Sequence, residues 1–138
     1  MSPDSDLARR VGFALVAIPL AVAIVWYGGV PLALLLAAAA AFGARELFDL
    51  AARQGVRAIR PLGFVTAAIL APFVYAVVIA SEAREPILEL WPYLIGLWII
   101  VLLTWVLVTR SPTDKPLAAA AVTMLAVAYT GVLPAFLV

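Results

Sequence analysis

The sequence predicts an all-α polytopic transmembrane protein of about five spans with a cytoplasmic N-terminus, and three observations carry that prediction. Hydrophobic residues make up 67% of the chain against 12% charged, and the mean hydropathy is +1.16, far above the roughly half-apolar usage of soluble domains. The apolar residues fall in long runs separated by short polar clusters. With the N-terminus inside, Arg9, Arg10, Arg45, Arg53, Arg57, Arg60, Arg110 and Lys115 share the inner side and Arg84 alone lies outside, the bias of the positive-inside rule.

The same composition excludes several kinds of function. A formal net charge of +1 with arginines spread along the chain gives no concentrated basic face for nucleic acid. The chain has neither Cys nor His, so it offers no thiolate nucleophile, imidazole base, disulfide or ordinary zinc site. Carboxylates, arginines, one lysine and hydroxyls remain for chemistry.

Each element follows from local sequence. Met1 to Asp6 is short and polar, and Arg9-Arg10 precedes the apolar run Val11 to Tyr27. Ala21-Val22-Ala23 imitates a signal-peptide cleavage site, but the chain stays apolar through Trp26 and Tyr27, so this run is expected to remain as a first span ending on an aromatic anchor. Gly28-Gly29-Val30-Pro31 is an uncharged reversal, with Pro31 suited to a helix's first turn. The second span runs from Pro31 to about Gly43, with a charged extension to about Gln54. Its five alanines, Ala37 to Ala41, admit a close neighbouring helix, and Gly55 is a natural stop.

A basic loop, Val56 to Arg60, leads through Pro61 to a third span, Leu62 to about Ala80. Ser81 to Glu89, acidic and broken by Pro86, reads as an external loop. Leu90 to Thr109 is the fourth span, whose tryptophans are expected to act as interface anchors. Arg110 to Pro116 is a polar connection, and Leu117 to Val138 the fifth span. Pro19, Pro72 and Pro134 are candidates for kinks, although proline in membrane helices is often only tolerated. The chain stops in apolar sequence without a polar tail, so residues 1–138 are expected to be the N-terminal transmembrane region of something longer.

Two groups of residues are candidates for function. Glu46, Asp49 and Arg53 fall at i, i+3 and i+7 on one face of the second helix's extension. Glu46 with Asp49 has a magnesium-site reading. The preferred reading of Arg45, Glu46 and Asp49 is a structural polar face, with Arg45–Asp49 and Asp49–Arg53 as i, i+4 ion pairs, each stabilising by roughly 0.2–0.5 kcal/mol. Arg53, Arg57 and Arg60 are candidates for holding an anionic lipid head group, each contributing about 1 kcal/mol near a charged surface. Membrane topology by itself also places basic residues there.

A dibasic start before a proline-containing span (RRVGFALVAIPLAVAIV), the turn YGGVP, an Ala/Leu-rich helix, then ARELFDLAARQG with Pro-Leu-Gly shortly after, together resemble the N-terminal half of bacterial phosphatidate cytidylyltransferase, or CDP-diacylglycerol synthase. The resemblance covers most of the chain and is most characteristic from Arg9 to Gly63. It implies a multi-pass enzyme of the bacterial inner membrane that joins CTP to phosphatidate, giving CDP-diacylglycerol and pyrophosphate, with magnesium as cofactor. The family's Lys-Asp, His-Gly-Gly and Asp-Arg-x-Asp signature has no counterpart here, so the resemblance assigns no catalytic or metal residue to this chain. Two further readings stay open, a small non-enzymatic multi-pass protein and part of a transporter, and the sequence leaves a homo-oligomer open.

Overall fold

The computed structural model describes residues 3–80, 82 and 84–138, with side chains from Val11 onward. Helix α1 spans Pro3–Tyr27, α2 Gly29–Arg53, α3 Arg60–Ile79 and α4 Arg84–Thr109. A 3₁₀ turn at Pro112–Asp114 leads into α5, Pro116–Ala126, which continues without interruption through a π-helical segment, Val127–Val132, into α6, Leu133–Ala135. All regular elements among the described residues are helical. The chain is an all-α polytopic membrane protein. Among the described residues four stretches are long and apolar enough to cross a bilayer, Gly29–Arg53, Arg60–Ile79, Arg84–Thr109 and Pro116–Ala135, and α1 adds the shorter apolar run Val11–Tyr27.

The α1–α2 reversal is a single residue. Gly28 sits at φ 66°, ψ −156° and Gly29 at φ 62°, backbone that side chains with a Cβ adopt only with strain. At the other end of α2, Gly55 at φ 75° stops the helix, with Val56 N–H donating to Ala51 O at 3.0 Å, so the spare carbonyls of the last turn are satisfied.

Three rods make the core: α2, α3 and the continuous α5–α6 rod. They approach closely because the contact positions are small. A Cβ on Gly43 would lie 2.9 Å from Thr130 Cγ2, one on Gly63 2.6 Å from Phe48 Cζ, and one on Gly131 2.9 Å from Ala67 Cα. The alanine tract is divided: Ala40 and Ala44 are buried, whereas Ala38 and Ala39 are exposed on the outer surface. Among the described residues α1 packs chiefly against α2.

Two expectations need correction. The segment 81–89 is not a loop to its end, because α4 begins at Arg84 and includes Pro86. Pro86 is the third residue of the helix, where the backbone N–H has no intrahelical acceptor and its loss is harmless. The tryptophans of α4 are not all interface anchors. Trp91 stacks on Phe73 with ring centroids 5.6 Å apart, and Trp98 Nε1 donates to Thr66 Oγ1 at 3.0 Å while that hydroxyl donates to Leu62 O at 2.8 Å. Both tie α4 to α3. Trp26, at the end of α1, is almost fully exposed.

Candidate functional site

The charged residues gather where the C-terminal half of α2, the 54–59 loop, the start of α3 and the 110–115 connection meet, the basic end of the bundle. The loop is pinned there by apolar and polar contacts together. Ile59 is buried with Leu102, Val106 and Ala120, and its N–H donates to Thr123 Oγ1 at 3.0 Å while Thr123 Oγ1 donates to Ala119 O at 2.8 Å. Thr123 is fully buried, so its hydroxyl satisfies a backbone donor that water cannot reach.

This pinning distributes the basic residues differently from their order in sequence. Arg60 Nη2 meets Asp49 Oδ1 at 2.9 Å, the one ion pair found among the described side chains of this end. The i, i+4 pairs Arg45–Asp49 and Asp49–Arg53 expected along α2 do not form, because the neighbouring helix supplies a guanidinium in better reach. Arg53 is exposed in the last turn of α2, where a cation complements the helix dipole. Arg57 lies close enough to the 110–115 connection for its charge to act on Asp114. Glu46 is exposed.

Arg45 and Arg60 flank an open recess of about 370 Å³, lined otherwise by Phe48, Pro61, Phe64 and Val65. Its charged rim lies at the head of α3, and its apolar wall, Phe64 and Val65, continues down the span. Nothing in the linear sequence pairs Arg45 with Arg60.

The 110–115 connection is built by a reciprocal cap. Ser111 Oγ and Ser111 N–H both reach Asp114 Oδ2, at 2.8 and 3.2 Å, and Asp114 N–H returns to Ser111 O at 3.0 Å. These bonds, first the hydroxyl's and then the N–H's, hold the Asp114 carboxyl below its ordinary value of 3.8, with help from the charges of Arg110 and Arg57. Arg110 Nε is buried without a hydrogen-bond partner. The Ser111-Pro112-Thr113-Asp114 spacing is a capping-box pattern, the one signal in the sequence that points to this cluster.

A magnesium ion needs several oxygen ligands in a fixed octahedral arrangement. Among the described residues no three acidic side chains come together, and Asp49 is engaged by Arg60. Among the described residues the carboxylates assemble no magnesium centre by themselves. The basic end can instead bind a phosphate: guanidinium groups match phosphate oxygens, and the recess sets Arg45, and the N–H groups of Arg60 that Asp49 leaves free, above an apolar wall.

A model of the cytidylyltransferase family matches residues 8–138. Neither a curated protein nor a solved structure matches the chain.

Proposed function

The chain belongs to the cytidylyltransferase family, and from that premise we propose that it is the N-terminal membrane part of a phosphatidate cytidylyltransferase in a bacterial inner membrane, with its basic end facing the cytoplasm. In the reaction, a phosphate oxygen of phosphatidate attacks the α-phosphorus of CTP, the bond to the β-phosphate breaks, and pyrophosphate leaves with CDP-diacylglycerol as the other product. In this reading, the chain's share is to present the lipid. Arg45 and Arg60 hold the phosphate monoester at the membrane boundary, and Phe64 and Val65 lead the acyl chains into the hydrocarbon. Groups that clamp the triphosphate and its magnesium are assigned to parts of the enzyme beyond these residues, because a chain without His and with one Lys cannot supply the family's His-Gly-Gly and paired basic elements.

The observation that supports the reading best is the recess itself, two guanidiniums over an apolar wall in a chain matched by the family along nearly its whole length. Phosphatidate binding to the detergent-purified chain tests it. Arg45→Gln and Arg60→Gln should each weaken binding and the double variant should remove it, whereas Arg53→Gln should have little effect. Equal losses from Arg53→Gln would reduce the recess to a diffuse basic surface. Supplied with CTP, phosphatidate and magnesium, the chain alone should make no CDP-diacylglycerol; turnover above a protein-free control would overturn the division of labour. For orientation, a single Cys at position 57 should be shielded from an impermeant reagent in intact cells and one at position 84 should react.

A further inference from the structure

At the end of the bundle opposite the arginine recess, α4 meets α3 through Trp91 on Phe73 and Trp98 on Thr66. Only Leu102 and Val106 of α4 are buried, both towards the basic end. Two hollows of about 250 and 330 Å³ open along the rest of its inner face and share Leu70, Trp91 and Val132. They form one groove running from Arg84 to Trp98, about 21 Å at 1.5 Å per residue of helix, against roughly 15 Å for the hydrocarbon of one leaflet. Its walls are apolar, and Arg84 is the one charged residue that lines it.

We propose that this groove holds one acyl chain of a zwitterionic, amine-bearing phospholipid from the leaflet at the Arg84 end, with its phosphate on Arg84. Charge complementarity selects the head group. Arg84 offers a guanidinium to a phosphate, but Glu82, Glu85 and Glu89 lie exposed within the same short stretch. One cation among three carboxylates repels a head group of net negative charge. An ammonium can donate to those carboxylates while the phosphate meets Arg84, so phosphatidylethanolamine fits where phosphatidylglycerol does not. The chain then fills the space between α3 and α4, with Trp91 stacked on Phe73 as its side wall. This site stands apart from the phosphatidate reading, which concerns the other end of the bundle.

Native mass spectrometry of the detergent-purified chain, titrated separately with phosphatidylethanolamine and phosphatidylglycerol, tests the assignment. The wild type should retain phosphatidylethanolamine severalfold better. Arg84→Gln, which leaves the three carboxylates in place, should lower that retention while keeping phosphatidylethanolamine preferred, and Val132→Trp, which fills the junction of the two hollows, should lower retention of both lipids. Neither variant should alter phosphatidate binding at the recess, so failure here is distinguishable from failure there. Equal or better retention of phosphatidylglycerol by the wild type would overturn the proposal. So would unchanged retention in Arg84→Gln, or a dimer appearing in place of the lipid-bound monomer. Because Arg84 is exposed, its variant decides the matter even where Val132→Trp fails to fold.

Discussion

Thr123 is the residue on which the placement of the basic end depends. Thr123→Val keeps the side chain's shape but removes the acceptor of the Ile59 N–H, whose bond is 3.0 Å long and buried. Ile59 and Thr123 are 4% and 0% exposed, so water cannot replace the lost partner. An unsatisfied buried amide costs about 1–2 kcal/mol, taking the range for soluble proteins together with the smaller values found for membrane helices. That corresponds to a factor of roughly 5–30 in the local opening equilibrium. Thr123→Ser is the control. It keeps both hydrogen bonds and loses only the methyl that faces Gly63, a loss of about 0.5–1.5 kcal/mol by analogy with other single-methyl deletions. Amide exchange in micelles, read at Ile59 relative to the core amides of α2 and α3, separates the two effects. Thr123→Val should speed Ile59 exchange by that factor relative to the core, and Thr123→Ser should leave the ratio unchanged. An unchanged ratio in Thr123→Val, or equal ratios in both variants, would show that apolar docking alone holds the loop.

Three other outcomes are expected. Gly131→Ala forces a Cβ to within 2.9 Å of the α3 backbone and should destabilise by about 1–3 kcal/mol, visible as a lower melting temperature, whereas Gly96→Ala meets open space and should not lower it. Asp49→Asn should change stability by no more than about 1 kcal/mol, because its pair with Arg60 is half exposed. Asp114 has a depressed carboxyl, so its contribution to holding the 110–115 connection is present above the unfolded value and lost as pH falls through the lower folded one. An NMR titration should place its midpoint below 3.8 in the wild type and higher in Ser111→Ala, and an unmoved midpoint would remove Ser111 as the cause.

Span positions are legible in the sequence because long apolar runs need no tertiary information to be recognised. The start of α4 is not, because Pro86 has the same look whether it breaks a helix or sits harmlessly in its first turn. The π-helical turn at Val127–Val132 is equally hidden, since a mostly apolar stretch with a single threonine carries no periodic mark of its hydrogen-bond register. At the candidate site the residue types are readable and their partners are not. Arg60 follows Arg57 closely in sequence, yet one pairs with Asp49 and the other acts on Asp114, a division imposed by the docking of Ile59 on α4 and α5. Arg45 can be set on the face of its own helix, but its pairing with Arg60 around a recess depends on the α2–α3 packing fixed by Phe48 and Gly63.

The one-residue link at Gly28 bears on how the protein enters the membrane. With no chain to spare between Tyr27 and Gly29, α1 and α2 are delivered as a hairpin, and their transfer free energies count together. The apolar part of α1, Val11–Tyr27, is the shortest of the candidate stretches, but it need not insert by its own hydropathy when α2 follows immediately. Two successive spans joined by so short a link return the chain to the side it started from, so in the proposed topology the dibasic start and the pair Arg45 and Arg53 favour one orientation in a single step. Lengthening the link with a flexible spacer should uncouple the two helices and lower the fraction of chains in which α1 is inserted, which glycosylation-site mapping in microsomes would measure.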